Sequence, residues 1–416
     1  MHRLTGAAST GQPILFNSQS IRPLNTEISN LTQLVNRSGR SVLAIWSRQS
    51  SQQDFAIRPR VFREEEEEEF CSISYSPINL NNPELKFKFK HKKHASIYNH
   101  TLTNIVVHYA SAVYVSDLTE LFTWTCSKCD GVTEGFQMIE LVVDVQSCLQ
   151  AFVGVAKDPY AIIIAFRGTQ EHSLQNWIED LYWKQLDINY PGMDDAMVHH
   201  GFYYAYHNTT IRSGILNAVK RAKEYYGDIN IIVTGHSMGG AIAAFCGLDL
   251  VVNGNAQNVQ VITFGQPRIG NAVFATYYHR LLRNTIRVTH GHDIVPHLPP
   301  YYYFFPQKTY HHFPTEVWLY SVGLEFLSYD VEKICDKTGE DPTCSRSVTG
   351  NSIVDHLVYF GVELMCKEWR SCRIVMERPL LEYGQADDGG NFVFSRDPAT
   401  PIIRLKTQSD AGGNHH

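Results

Sequence analysis

The sequence lacks an apolar run long enough to cross a membrane. Its longest apolar stretches are AIIIAF at residues 161–166 and AIAAFCGL at 241–248, whereas a spanning helix needs about 20 apolar residues in succession. The chain also lacks an excess of positive charge, because 36 Lys and Arg against 42 Asp and Glu leave a formal net charge of −6. No basic helix and no zinc-finger spacing is present. We therefore expect no transmembrane segment, no nucleic-acid partner and, at most, a peripheral contact with lipid.

The N-terminal region lacks the apolar core of a secretory signal, which would be about 7 to 15 residues long. Its first 53 residues contain a single acidic residue, Glu27, and this composition is closer to that of a transit peptide. Two glycosylation sequons, at Asn99 and Asn208, instead favour secretion or the lumen of the endomembrane system. The sequence leaves the compartment open between these routes and a plastid.

The composition of the chain changes near residue 95. Residues 1–94 include six consecutive glutamates at 64–69 and the basic run KFKFKHKKH at 86–94, and they predict a poorly structured extension. The basic run is either a solvated segment or a patch for an anionic lipid surface. We expect residues 95–365 to form the catalytic domain and 366–416 to form a C-terminal extension that is partly disordered.

The elements of the middle region are predicted from apolar periodicity. Continuous β-branched runs predict buried strands, and apolar residues at every third and fourth position predict helices that pack on them. The predicted strands are 152–155, 161–166, 229–233, 259–264 and 285–288, and the predicted helices are 211–226 and 238–251. This alternation predicts an α/β fold, with a mostly parallel central sheet and helices on both faces.

Nine cysteines are present, an odd number. Cys126 lies close to Cys129 in sequence, and Cys335 lies close to Cys344, so these two pairs are candidate disulfides. Free thiols are one alternative, and a metal or redox role is another. A zinc site would require a second pair with the close spacing of the first, which the sequence does not offer convincingly.

Residues 231–240 read IIVTGHSMGG and place Ser237 in a G-x-S-x-G pattern between a predicted strand and a predicted helix. In such a nucleophile elbow a sharp turn lifts the serine above the edge of the sheet. The turn leaves no room for side chains two residues away, which explains Gly235 and Gly239. His236 should point away from its neighbour on so sharp a turn, so the base must come from elsewhere in the chain. Ser237 is therefore the candidate nucleophile.

A serine nucleophile needs a histidine base and a carboxylate that orients this base. In this fold the chain order is serine, acid, histidine. Asp293 follows a predicted strand in HDIVP, at the end of the sheet where such enzymes place their acid. His356 follows a polar loop and precedes LVYFG, whereas His311 and His312 are interpreted as structural residues. Asp293 and His356 are the candidate acid and base.

Six segments follow one another in the chain: FRGTQEHSLQNW, VHHGF, TGHSMGGAIA, TFGQPRIGN, HDIVPHLPP and DHLVYFG. Over roughly residues 95–365 the chain resembles the class 3 lipases, the fungal-lipase-like branch of the α/β-hydrolases, and especially their plant members. The resemblance implies an α/β-hydrolase fold with a helical lid. It also implies that Ser237, Asp293 and His356 form the catalytic triad.

The same resemblance implies how the oxyanion is held, through backbone N–H groups of Thr169 and Met238. The segment after Thr169 occupies the position of the family's lid, which would cover the serine. A fixed, core-facing helix is the alternative. The apolar face of this segment consists of four residues at helical spacing: Leu174, Trp177, Ile178 and Leu181.

These features together predict a serine carboxylester hydrolase that cleaves acyl-glycerol esters through an acyl-enzyme. The expected partner is a lipid or another acyl ester, and the chemistry needs no cofactor and no metal. A phospholipase or galactolipase of the A1 type, or a feruloyl-type esterase on the same triad, is the main alternative. A hydrolase fold that has lost activity and binds lipid is a third interpretation.

Overall fold

The protein is represented by a computed structural model. The structure describes residues 98–169, 171–183, 186, 188–254, 256–302, 309–324, 327–365, 375–376, 380, 382–386 and 391–398, and the backbone of 34–35 and 41–42. The chain divides into two units, 1–88 and 89–416. In the first unit two short strands pair antiparallel. The prediction that residues 1–94 form a poorly structured extension otherwise concerns residues outside the described ranges.

The described helices and strands alternate through the second unit. The helices are α1 His100–Ala112, α2 Leu118–Thr123, α3 Glu171–Trp183, α4 His200–His207, α5 Thr210–Tyr226, α6 Met238–Val252, α7 Ala272–Leu281 and α8 Val354–Leu357. The strands are β1 Leu34–Val35, β2 Ser41–Val42, β3 Gln137–Asp144, β4 Leu149–Ala156, β5 Ala161–Phe166, β6 Ile188–Asn189, β7 Met197–Val198, β8 Asn230–His236, β9 Val259–Phe264, β10 Gly270–Asn271, β11 Thr285–His290, β12 Tyr310–His311, β13 Glu316–Leu324, β14 Leu327–Ile334, β15 Val358–Tyr359, β16 Val362–Glu363, β17 Gly384–Ala386 and β18 Phe392–Ser395.

A large sheet organises the second unit, in the strand order β14-β13-β11-β9-β8-β5-β4-β3-β18-β17. Strands β5, β8, β9, β11 and β13 run parallel at its centre. The flanking strands pair antiparallel, because short turns such as the one at 157–160 can connect only antiparallel neighbours. The predicted parallel sheet is thus confirmed for its central strands.

The helices beside the sheet follow from their sequences. Helix α5 is amphipathic: Thr209 caps its first turn, Ile211 and Ile215 are buried, and Gly227 ends it at a φ of 80°. Helix α6 is apolar around nearly its whole circumference, which a helix tolerates only when it is enclosed. It lies between the sheet and helices α4 and α7. This enclosure holds its N-terminus firmly beside the end of β8.

Part of the C-terminal region completes the sheet. Strand β18 pairs antiparallel with β3, and Phe394 is fully buried there. Its ring lies 6.2 Å from the ring of Phe122. The strand runs from Phe392 to Ser395.

Three segments of the predicted site follow central strands. Thr169 comes shortly after β5, Ser237 directly after β8 and Asp293 shortly after β11. Because these strands are parallel, their carboxyl ends meet at one edge of the sheet. In the ranges that the structure describes, no helix combines the length and the apolarity that membrane crossing demands.

Candidate active site

Ser237 occupies a strained turn between β8 and α6. Its backbone angles are φ 59° and ψ −130°, a conformation that residues with a side chain rarely adopt. A Cβ atom on Gly235 would collide with the carbonyl group of Gly239, and one on Gly239 would collide with the carbonyl of Phe166. Gly235 therefore allows the tight turn between β8 and α6, and Gly239 allows α6 to approach the end of β5.

Asp293 and His356 form a hydrogen-bonded pair. The Nδ1–H of His356 donates to Asp293 Oδ2 at 2.9 Å, and the backbone N–H of Val295 donates to Oδ1 at 2.8 Å. His356 has no exposed surface and Asp293 is 2% exposed. The carboxylate thus sets the orientation and tautomer of the imidazole, so that Nε2 is the free basic nitrogen.

Several buried side-chain atoms lack a hydrogen-bond partner among the described residues, and two of them belong to the candidate triad. They are Ser237 Oγ and His356 Nε2. Burying a polar atom without a partner costs free energy, so such atoms are rare in folded proteins. A nucleophile and its base are the groups that must stay available for substrate.

Tyr359 and Gly265 also belong to the site, although the sequence analysis did not single them out. Tyr359 donates its hydroxyl to Asp293 Oδ2 at 2.5 Å. Burial and the negative charge of Asp293 raise the pKa of Tyr359 well above its ordinary value, so the hydroxyl stays a donor. Gly265, at a φ of 56°, lies so close that a Cβ would sit 2.8 Å from His356 Nδ1. Tyr359 lies in the segment DHLVYFG and Gly265 in TFGQPRIGN, so the family resemblance of these two segments was the sequence feature that could have pointed to them.

The residues proposed for the oxyanion hole lie side by side. Thr169 follows β5, Met238 begins α6, and the Thr169 hydroxyl contacts Met238 Sδ at 3.6 Å. The loop before Thr169 is anchored by Arg167, whose guanidinium donates to Gln150 Oε1 at 3.1 Å and to the carbonyl of Cys148 at 2.7 Å. A rigid anchor suits backbone donors that must be aimed in advance.

The helix that the sequence identifies as a candidate lid is α3. Its predicted apolar face points inward: Leu174, Ile178 and Leu181 are buried, and the ring of Trp177 lies 6.2 Å from that of Phe202. Ser237, the candidate nucleophile, has no exposed surface. An ester can therefore reach the serine only after some segment has moved. That α3 is this segment stays a prediction.

Both candidate disulfides are formed, Cys126 with Cys129 and Cys335 with Cys344. Cys246 is a buried free thiol, and burial raises its pKa, as expected of a core residue. Within the described ranges, one group of side chains has the spacing of a metal site, Asp341 with the sulfurs of the second disulfide. These sulfurs are already bonded to each other.

A serine at a strand–helix turn, with an aspartate–histidine pair from segments later in the chain, is the arrangement of the α/β-hydrolases. The sheet order and the helices that cover it have the same architecture, so the protein has an α/β-hydrolase fold.

Comparisons with known proteins narrow this class. The family model of class 3 lipases matches residues 163–303. The lipase of Rhizomucor miehei is 32% identical over 244 residues, which are 58% of this chain and 62% of that protein. The secreted mono- and diacylglycerol lipase 1 of Fusarium solani is 30% identical over 227 residues, 54% of this chain and 64% of that protein. The solved structure of Rhizomucor miehei triacylglyceride lipase has a TM-score of 0.54 and 30% identity, and the match covers 64% of this chain and 97% of that one.

The chain belongs to the class 3 lipase family. It spans about three fifths of the first curated relatives, 62% of the Rhizomucor miehei lipase and 61% of the Rhizopus niveus lipase. The family match contains Thr169, Ser237 and Asp293 but ends before His356. The assignment of His356 therefore depends on its hydrogen bond to Asp293.

Proposed function

We propose that the protein is a serine carboxylester hydrolase, a lipase that cleaves acyl-glycerol esters. The proposal depends on two buried atoms that have no hydrogen-bond partner, Ser237 Oγ and His356 Nε2. His356 is in addition oriented by its hydrogen bond to Asp293. The Rhizomucor miehei relative is a triacylglyceride lipase, and the Fusarium solani relative is a mono- and diacylglycerol lipase. Both support an acyl-glycerol as the substrate.

Acylation begins when His356 Nε2 accepts the hydroxyl proton of Ser237 and Oγ bonds to the carbonyl carbon of the ester. The N–H groups of Thr169 and Met238 stabilise the oxyanion of the tetrahedral intermediate. The Thr169 hydroxyl can add a third donor when it rotates away from Met238 Sδ. The imidazolium of His356, stabilised by Asp293, then protonates the departing alcohol as its bond to the acyl carbon breaks.

Deacylation repeats these steps with water. His356 removes a proton from a water molecule, whose oxygen attacks the carbonyl carbon of the acyl-enzyme. The bond to Ser237 Oγ breaks, the imidazolium returns its proton to this oxygen, and the fatty acid leaves. Neither half of the reaction requires a metal or a redox group.

The protein's contact with its substrate would take place at a lipid surface. Because Ser237 is enclosed, some segment must open, and opening of α3 would uncover Leu174, Ile178 and Leu181. Apolar side chains of this kind are more stable against lipid than against water. We therefore expect the rate to rise steeply when the substrate forms an interface, with the protein bound only peripherally.

The proposal is tested by a hydrolysis panel of tri-, di- and monoacylglycerols, phospholipids, galactolipids and soluble aromatic esters. Ser237→Ala should lower hydrolysis by about 10⁴-fold or more and abolish labelling by a fluorophosphonate probe. Ser213→Ala is the matched control, since this serine is exposed on α5. If folded wild-type protein is neither active nor labelled, the proposed function is wrong. Activity confined to phospholipids, galactolipids or aromatic esters would replace the acyl-glycerol substrate but keep the triad.

A further inference from the structure

A buried chain of hydrogen bonds runs behind the catalytic residues. The backbone N–H of Gly168 donates to the Tyr114 hydroxyl at 3.0 Å. This hydroxyl lies 2.9 Å from His236 Nδ1, and His236 Nε2 lies 2.8 Å from the carbonyl oxygen of His356. Tyr114 is 6% exposed and His236 is not exposed at all.

The chemistry of the groups determines the direction of every bond in this chain. A carbonyl oxygen can only accept, so His236 Nε2 must carry a proton. Burial, together with the nearby His356, lowers the pKa of His236 well below its ordinary value, so the ring is neutral and Nδ1 accepts. The Tyr114 hydroxyl therefore donates to Nδ1, since the His236 carbonyl is farther away at 3.5 Å.

The chain of bonds joins three segments that the proposed reaction needs. Gly168 immediately precedes Thr169 of the oxyanion hole, His236 immediately precedes Ser237, and His356 is the base. The rings of His236 and His356 lie 4.3 Å apart between centroids, tilted by 37°. A neutral His236 adds no positive charge next to His356 when that ring becomes an imidazolium.

The residues around this chain of hydrogen bonds are packed so closely that Gly168 has no room for a side chain. A Cβ on Gly168 would collide with the Tyr114 hydroxyl and with the His236 carbonyl, and it would lie 3.1 Å from Ser237 Cβ. The segment therefore approaches Tyr114 only because residue 168 is glycine. Directional bonds in a tightly packed site restrict how far the joined groups can move.

We infer that Tyr114 and His236 are positioning residues, which set the distance between the oxyanion hole and the catalytic base through this chain of hydrogen bonds. The inference rests on the proposed hydrolase function. Neither residue touches the reacting atoms: one end of the chain holds the peptide that leads to Thr169, and the other end holds the backbone of His356. Loss of a link should loosen the geometry of the transition state more than the binding of the ester.

The test is Tyr114→Phe, which removes one hydroxyl and keeps the ring. We expect kcat to fall by about 10-fold to 100-fold, because small displacements at a catalytic centre cost this much, with KM within about twofold of wild type. The affinity for an alkyl boronic acid, which forms a tetrahedral adduct on Ser237, should fall by a similar factor. His236→Gln keeps an N–H group that can reach the His356 carbonyl, and it should retain more activity than His236→Phe.

Tyr278→Phe is the matched control. Tyr278 is likewise a buried tyrosine, and its hydroxyl lies 3.2 Å from Thr285 Oγ1, a residue that is not part of the proposed site. Both tyrosine variants should lose similar thermal stability, but only Tyr114→Phe should lose kcat and boronic acid affinity. If the wild-type protein is active and Tyr114→Phe has the same kcat, the inference is wrong and the proposed function is intact. If Tyr114→Phe does not fold, equal activity of His236→Gln and His236→Phe would overturn it instead.

Discussion

Two buried polar clusters in this protein differ in whether the side chains at their centres have all their hydrogen-bond partners. One, the catalytic cluster, consists of the proposed triad Ser237, Asp293 and His356. The other is an ion cluster beside the Cys335–Cys344 disulfide, centred on Arg268 and Glu340, which are 4% and 5% exposed. Both lie in the interior, so the difference between them does not come from access to water.

Each nitrogen of the Arg268 guanidinium has a hydrogen-bond partner in the ion cluster. Its Nε and Nη2 donate to the two carboxylate oxygens of Glu340 at 2.7 and 2.9 Å, and Nη1 donates to the carbonyls of His297 and Pro299. Glu340 accepts a further bond from the backbone N–H of His312. Burial by itself would raise the pKa of Glu340, but the charge of Arg268 and the hydrogen bonds from Arg268 and the His312 N–H together outweigh burial, and the pKa is lowered.

The catalytic cluster instead leaves its two reactive atoms without partners. Bonds to Asp293 orient His356, yet none reaches Ser237 Oγ or His356 Nε2. His312 Nδ1 and Arg287 Nη1, near the ion cluster, also lack partners, so a missing partner alone does not indicate chemistry. What distinguishes the catalytic cluster is that its unpartnered atoms are a hydroxyl and the free nitrogen of a histidine oriented by a carboxylate. Variants of the two clusters should therefore separate activity from stability.

Asp293→Asn should produce the largest effect on activity. The amide has nearly the same shape but favours the wrong tautomer of His356, so we expect kcat/KM to fall by about 10⁴-fold. The free energy of unfolding should change by less than about 1 kcal/mol. The amide oxygen can still accept from the Val295 N–H, and the NH2 group that takes the place of Oδ2 can donate to the Tyr359 hydroxyl and to His356 Nδ1. Steady-state kinetics and urea denaturation measure the two quantities. A large loss of stability would mean that Asp293 is as structural as Glu340.

Glu340→Ala should lower the stability of the protein and leave its activity nearly unchanged. It leaves the charge of Arg268 buried without its carboxylate, which costs about 3 to 5 kcal/mol. The kcat of the folded protein should stay within about twofold of wild type. Replacing both ions, as Arg268→Met with Glu340→Leu, removes the unpaired charge and should recover much of the stability. A loss of kcat in the folded single variant would contradict the separation.

Gly265→Ala should lower both the stability of the protein and its kcat. Its φ of 56° strains any side chain, and the added Cβ would lie 2.9 Å from Asp293 Oδ2. We expect a loss of about 1 to 3 kcal/mol in stability and a fall in kcat of about 10-fold or more from displacement of the acid–base pair. Gly192→Ala is the control, because it has a φ of 79° but nothing within 4 Å of the added Cβ. Equal kcat in the two variants would show that strain alone matters at Gly265.

The pH dependence of stability should show the smallest effect. Burial lowers the pKa of both His236 and His312, in the second case with help from Arg287 and Arg268. The unfolded chain therefore binds more protons than the folded protein below about pH 6.5, and stability falls as the pH decreases from there. Each histidine contributes a slope of up to about 1.4 kcal/mol per pH unit. His312→Gln should reduce this slope in denaturation curves at pH 5 to 7, and an unchanged slope would contradict the assignment.

The sequence by itself was sufficient to predict the elbow and the order of the triad residues. Gly235 is required by a clash with Gly239 four residues away, which a local pattern can reveal, whereas the clash that requires Gly239 is with Phe166 on β5. The β-branched run of β8 is likewise a local signal. The strand predictions at 161–166 and 259–264 have the bounds that the structure shows. Asp293 could be placed because the end of a parallel strand determines on which edge the next residues lie.

Only the tertiary structure decided which distant groups support the triad. Tyr114 meets His236 across 122 residues of chain, and Arg268 meets Glu340 across 72. The pairing of β18 with β3 also depends on how far-separated segments come together. Glycine strain and apolar periodicity act over a few residues and are visible in the sequence. A hydrogen bond between remote residues exists only after packing has brought its donor and acceptor within about 3 Å.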